Sequence, residues 1–246
     1  MRARVSFSHQ ILFGVFCASL FAILWFEART VRERALRTAA CLAGVVFSLS
    51  SAAFLLLAMQ IALIATERAT RVLRNPAMIV CTGIGLTALA IEVAVNGGLV
   101  GFFTRYLSLN AETAYYRQLI WLHVTDDILA NPLMGTGGPW SRPAWMVESI
   151  DHVFFAKAIA YGVPPIAMIT AAAVIIGRNL FRHPSTLANG VFRSLRLGWV
   201  FCVLGVAVAG LTVDYFGRAL PFVMFVIGLG AALDRVAGTG PRGQAS

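Results

Sequence analysis

Residues 104–155 read TRYLSLNAETAYYRQLIWLHVTDDILANPLMGTGGPWSRPAWMVESIDHVFF. The polar part of this stretch, 105–152, is the one long interruption in a chain that is otherwise soluble in lipid. Hydrophobic residues make up 59% of the 246 positions, charged residues 13%, and the mean hydropathy is +0.78. Such a composition is too apolar for a water-soluble domain, whereas apolar runs approaching ~20 residues cross ~30 Å of hydrocarbon. About fifty residues held outside the bilayer in one place read as a working loop, because long ordered loops usually carry function.

Outward from this loop, the apolar runs predict helices at 11–26, 39–49, 52–66, 78–95, 153–176, 197–213 and 220–233. The runs at 39–49 and 52–66 form either one long span or a hairpin turning at Ser48-Leu49-Ser50-Ser51. Arginine placement decides between them, because cytoplasmic links carry the excess of positive charge. The hairpin puts Arg29, Arg32, Arg34, Arg37, Arg68, Arg71, Arg74, Arg178, Arg182, Arg193, Arg196, Arg235 and Arg242 on one side. A single span would move the arginines of the first link to the other side. The expected architecture is therefore all-α: a polytopic transmembrane helical bundle of about seven membrane segments. The amino terminus and the long loop, with its amphipathic helix, lie outside. The chain divides into N-terminal transmembrane helices (1–103), the extracytoplasmic loop carrying the site (104–152), C-terminal transmembrane helices (153–234) and a disordered cytoplasmic tail (235–246). No small-residue cleavage site precedes Glu27, so the first run reads as a retained helix and not as a signal peptide.

The formal charge of +9 and pI near 10.3 invite a nucleic-acid reading. The arginines, however, sit in short links between apolar runs, which fits topology and anionic lipid or pyrophosphate groups better. Cys17, Cys41, Cys81 and Cys202 lie in apolar runs without CxxC or His-paired spacing and read as small core residues, not as disulfide or metal ligands. The neighbours Asp126 and Asp127 point ~100° apart on a helix and have no third ligand nearby.

The order of motifs in the loop resembles one family. Arg117 is followed four residues later by Trp121, then by Asn131-Pro132-Leu133, Gly135 and Gly137, then by Asp151-His152 opening a new apolar helix, with Gly162 further in. This pattern resembles the C-terminal half of the O-antigen ligase/polymerase superfamily, bacterial inner-membrane glycosyltransferases that join or extend lipid-linked polysaccharides. Ser8-His9-Gln10 is similar to a His-Lys-Asn element that opens an earlier helix in members, and Ser50-Ser51 stands where members often have Ser-Arg. Members usually carry several more helices before the point at which this sequence starts.

The resemblance implies a metal-independent enzyme without a cofactor, working in the bilayer on an undecaprenyl-pyrophosphate-linked glycan and a glycan or lipid acceptor. It implies no nucleic-acid partner. A pyrophosphate leaving group needs cationic clamping, and a guanidinium forks onto phosphate oxygens. Arg117 is the first candidate clamp, on one face of an expected helix over 112–130 with Val124 and Ile128 below it. Trp121 is placed to stack on the guanidinium or to lie at the interface. The plainer reading of Arg117 is a solvated face residue. Arg105 and Arg142 are further candidate clamps. His152, in the first turn of a helix, is the candidate base for the acceptor hydroxyl, with Asp151 orienting it or sharing the role. The plainer reading makes Asp151 the N-cap and His152 an interface residue. Gly135 and Gly137 would let backbone approach a sugar or phosphate; the plainer reading is a tight turn. Two other functions compete: a truncated, non-catalytic remnant or subunit that packs against a partner supplying the missing N-terminal helices, and a small transporter.

Overall fold

The computed structural model describes residues 7, 9–70, 86, 89–90, 92–94, 111–137, 150, 152–182, 190–211, 213–215 and 217–238. Among these residues all regular structure is helical, in the order α1 (Gln10–Glu27), α2 (Val31–Ser48), α3 (Ser51–Thr70), α4 (Ala111–Ala130), α5 (Val153–Tyr161), α6 (Pro164–Arg182), α7 (Gly190–Ala209) and α8 (Ala219–Gly238). The expected helix at 78–95 lies largely outside them; Leu86, Leu89, Ala90, Glu92, Val93 and Ala94 are helical.

Each boundary has a local cause. His9 caps α1, its Nδ1 accepting from the Ile11 amide at 3.3 Å. Thr30 caps α2 through its hydroxyl on the Glu33 amide at 3.1 Å, and the Glu33 carboxylate reaches back to the Arg29 amide at 3.0 Å. This reciprocal pairing satisfies amides that a helix start leaves open. It also corrects the expected basic link at 27–38. Helix resumes at Val31, so Arg32, Arg34 and Arg37 stand on α2 itself. The hairpin turn falls where expected. Ser48 ends α2, Leu49 adopts φ 48°, ψ 40° and its N–H returns to the Val46 carbonyl at 3.1 Å, and α3 starts at Ser51.

α1 is the axis of the bundle, packed against α2, α3 and α7. Missing side chains make this possible. A Cβ on Gly14 would stand 2.3 Å from the Ser48 hydroxyl, one on Gly44 2.4 Å from the Cys17 sulfur, and one on Gly198 2.9 Å from the Ile23 Cα. Small residues at helix contacts are what packing in lipid requires, since apolar side chains gain little by leaving lipid for each other. Polar ties join the same elements. Gln60, fully buried on α3, donates to the Phe201 carbonyl on α7 at 2.7 Å, and the Trp199 indole donates to Val226 on α8 at 2.7 Å.

Among the described residues four helices are long and apolar enough to cross a membrane: α1, α3, α6 and α8 over Ala219–Val236. Many of their outward residues are bare and apolar, as in Met168, Val174 and Phe225 at 72%, 62% and 65% exposure. This is the inverse of a soluble surface and marks a multi-pass membrane protein. α2 carries Arg32, Glu33, Arg34 and Arg37 in its first two turns and is not among the four.

One expected span is broken. The run at 153–176 divides at Gly162, which has φ +79°, and Pro164 starts α6. Proline fits a first helical position and disfavours helix in the residue before it. At the other end of the chain, α8 continues to Gly238, past the residue where the tail was expected to begin.

The ends of the helices sort by charge. Arg68, near the end of α3, lies over Trp25 at the end of α1, Arg196 near the start of α7 donates to the Leu180 carbonyl at the end of α6, and Asn179 donates to Asp234 near the end of α8. The arginines of α1–α3 and of α6–α8 thus gather at one end of the bundle. The start of α5 lies at the other, with the Val153 amide on the Gly210 carbonyl at 3.1 Å. Between α5, α6, α7 and α8 lies an apolar cavity of about 500 Å³, lined by residues such as Phe154, Ile169, Trp199, Val203 and Val223, with Lys157 as its charged wall residue.

Gly198→Ala should push α1 and α7 apart and cost roughly 1–3 kcal/mol, the usual range for overpacking. Gly228→Ala, where an added Cβ meets nothing within 4 Å, should be neutral or stabilise by up to about 1 kcal/mol through helix propensity. Thermal unfolding of both variants in detergent, scored against the unaltered chain, checks the pair.

Candidate functional site

The loop residues that the structure describes are built onto α5. α4 lays Ile120, Val124 and Ile128, spaced four residues apart, into a small apolar cluster with Ile150, Phe155 and Ile159. That spacing lines one helical face. Arg117 and Trp121 fall on the α4 backbone, in a helix whose bounds lie within a residue of those expected; their side chains lie outside the described residues, as do Arg105, Arg142 and Asp151. Among the described residues, α4 is the first place where the long loop meets the bundle.

After α4 the chain turns sharply. The Asn131 amide bonds to the Ile128 carbonyl at 3.2 Å and the Gly135 amide to the Asn131 carbonyl at 3.0 Å, closing residues 131–135 on themselves. This turn is clasped to the end of α5. The Val163 amide donates to the Pro132 carbonyl at 2.8 Å, and the Ile159 carbonyl accepts both the Thr136 amide at 2.7 Å and the Thr136 hydroxyl at 3.2 Å. Gly135 (φ +64°) and Gly162 (φ +79°) lie face to face. A Cβ on Gly135 would stand 2.4 Å from the Ile159 carbonyl oxygen, and one on Gly162 2.4 Å from that of Leu133. The close backbone approach that Gly135 permits is thus to α5. Gly137 (φ +61°) differs, because a Cβ there meets nothing within 4 Å. Gly137 is exposed, and no described residue packs against that position. Leu133 and Met134, 70% and 82% exposed, present apolar side chains at the tip of the turn.

His152 is the N-cap of α5, the position given to Asp151 in the plainer sequence reading. Its Nδ1 accepts from the Phe155 amide at 3.3 Å, and its ring stacks on Phe155 with centroids 4.0 Å apart and planes 11° apart. The residue is only 3% exposed. Burial, which disfavours the charged ring, pushes its pKa down to about 4. A neutral imidazole that accepts at Nδ1 carries its proton on Nε2. In this arrangement His152 holds the helix start and keeps its proton on a buried Nε2. Acting as a base would require it to release the cap. A carboxylate next to it in sequence, Asp151, is the other proton acceptor that the motif supplies.

Sequence reasoning missed three participants. Thr136 doubles the clasp on Ile159, Val163 supplies the amide for Pro132, and His9 caps α1 in the way His152 caps α5. The second glycine pairing had a signal, the Gly162-Val163-Pro164-Pro165 run that breaks the helix, but its partner across the loop is legible only in three dimensions. Comparison with known protein families, with curated proteins and with solved structures gives no match to this chain.

Gly135→Ala and Gly162→Ala should each destabilise the protein by several times more than Gly137→Ala. The first two combine a left-handed backbone with a clash on a carbonyl, whereas Gly137→Ala meets only the conformational penalty of about 1–2 kcal/mol. Melting temperatures in detergent give the order directly.

The His152 ring also sets a pH dependence. Its folded pKa of about 4 lies below the usual 6.5, so the unfolded chain takes up the proton first. The stability it contributes is complete above about pH 6.5 and is lost as pH falls toward 4, roughly 3 kcal/mol in all. Asparagine keeps a capping oxygen and does not titrate. The melting temperature of His152→Asn should therefore fall less between pH 7 and pH 4.5 than that of the unaltered chain.

Proposed function

We propose that this chain is a membrane glycosyltransferase of the O-antigen ligase/polymerase type. It takes glycan from an undecaprenyl-pyrophosphate-linked donor and adds it to a glycan or lipid acceptor at the periplasmic face of the bacterial inner membrane. The observation that carries this reading is the clasp between residues 131–137 and the end of α5. It joins separate pieces of the sequence motif, the Asn-Pro-Leu turn with its glycines and the helix opened by Asp151-His152, into one unit. That unit stands at the end of the bundle opposite the arginines, the end that the positive-inside rule assigns to the outside.

In this mechanism Arg117 clamps the pyrophosphate as the sugar–phosphate bond breaks, assisted by Arg105 and Arg142, with Trp121 as the surface on which guanidinium or sugar stacks. Asp151 receives the acceptor hydroxyl proton. His152 fixes the backbone beside it through its cap on the Phe155 amide. Gly137 gives a sugar or phosphate access to backbone. A second reading draws on the capping role and burial of His152, which suit a structural residue: the chain is a non-catalytic subunit packed against a complete transferase.

Arg117→Ala should abolish glycan transfer in a lipid-linked-donor assay at equal protein level, and Arg117→Lys should restore only part of it, since an ammonium keeps the charge but not the bidentate fork. Unchanged output from Arg117→Lys and Arg117→Ala would reduce Arg117 to a surface arginine. Transfer by the purified chain alone separates enzyme from subunit.

A further inference from the structure

At the arginine-rich end, Trp25 in the last turn of α1 has two cations on it. The Arg34 guanidinium carbon lies 5.2 Å from the indole centroid and that of Arg68 4.7 Å. The two charges are therefore within about 10 Å of each other, close to the Debye length at about 0.1 M salt, so they repel. The acids nearest Arg34 in sequence, Glu27 and Glu33, are engaged elsewhere. Arg37 forms ion pairs with both Glu27 and Glu33, and the other Glu33 oxygen takes the Arg29 amide. Arg34 spends two N–H groups on the Trp25 carbonyl at 3.2 Å and the Ala28 carbonyl at 3.3 Å, and neither carbonyl removes its charge. Among the described residues Arg68 makes no ion pair. Arg29 and Arg32, both exposed, add charge of the same sign nearby.

We propose that Arg34 and Arg68, with Trp25 between them, form a binding site for the headgroup of an anionic phospholipid. The phosphate attracts both guanidiniums, each of which retains N–H donors for its oxygens. Lipid, and not free phosphate, is the occupant because the cations sit where the membrane surface lies. Trp25 closes an apolar helix long enough to span, where indole rings favour the interface. Val31 and Leu36, 80% and 64% exposed, present apolar surface on the adjoining turns of α2 for the acyl chains. The site is independent of the transferase reading, since it lies at the opposite end of the bundle.

Native mass spectrometry of the full chain in detergent, titrated with phosphatidylglycerol or phosphatidylcholine, tests the assignment. The unaltered protein should hold phosphatidylglycerol at least fivefold more tightly than phosphatidylcholine. Arg68→Gln, which removes no described hydrogen bond, should erase most of that preference, and Arg34→Gln should do the same if the α1–α2 turn survives. Arg235→Gln, at the same end but away from Trp25, should leave it intact. Equal retention of the two lipids, an unchanged preference in Arg68→Gln, or an equal loss in Arg235→Gln would overturn the site. Full displacement of phosphatidylglycerol by millimolar inorganic phosphate would overturn the choice of lipid as occupant.

Discussion

A helix that stops in or beside lipid leaves carbonyls and amides without helical partners, and the break at Gly162 creates that problem between α5 and α6. Unsatisfied backbone groups are costly in such surroundings. The turn at 131–137 is the solution, giving its Thr136 donors to the Ile159 carbonyl and its Pro132 carbonyl to the Val163 amide. Much else follows from this exchange. α4 is drawn against α5, the start of α5 is held beside the end of α7, and the motif-bearing loop acquires a fixed anchor on the bundle. Two glycines facing each other are the steric condition for it.

The bundle itself rests on a different device. α1 is contacted by α2, α3 and α7, and at Gly14, Gly44 and Gly198 the helices meet with no room for another carbon. Buried Gln60 and Trp199 then tie α3 to α7 and α7 to α8 through mid-helix carbonyls, each of which has a second lone pair to accept a side-chain donor. In lipid, where apolar contact alone discriminates poorly between partners, such close packing and directed bonds select one arrangement.

Much of this was legible in the chain. Apolar runs gave most of the described helices, arginine counting gave the hairpin at Ser48–Ser51, and helical spacing placed Val124 and Ile128 on one face of α4, which the structure shows packed against α5. The break in the run at 153–176 was harder, because hydropathy does not register a glycine with positive φ, although Pro164-Pro165 was a local sign. The candidate site was legible as a set of positions but not as roles. Gly135 and Gly137 look alike in sequence, and only the neighbouring α5 backbone distinguishes a glycine that is enclosed from one that is open. His152 looked like a base because of its chemistry, and its capping bond to the Phe155 amide depends on a backbone angle that sequence does not encode.

The cavity behind α6 has a mechanical meaning. α6 is pinned at both ends, by Val163 on Pro132 at one and by Leu180 and Asn179 on Arg196 and Asp234 at the other. Its middle turns carry exposed apolar side chains on one side and line an apolar cavity of about 500 Å³ on the other. It is a strut fixed at its ends over a hollow. Bowing inward would exchange one greasy contact for another while leaving the end pins in place, so the bundle's width on this flank is set by how the hollow is filled and not by a lock between helices.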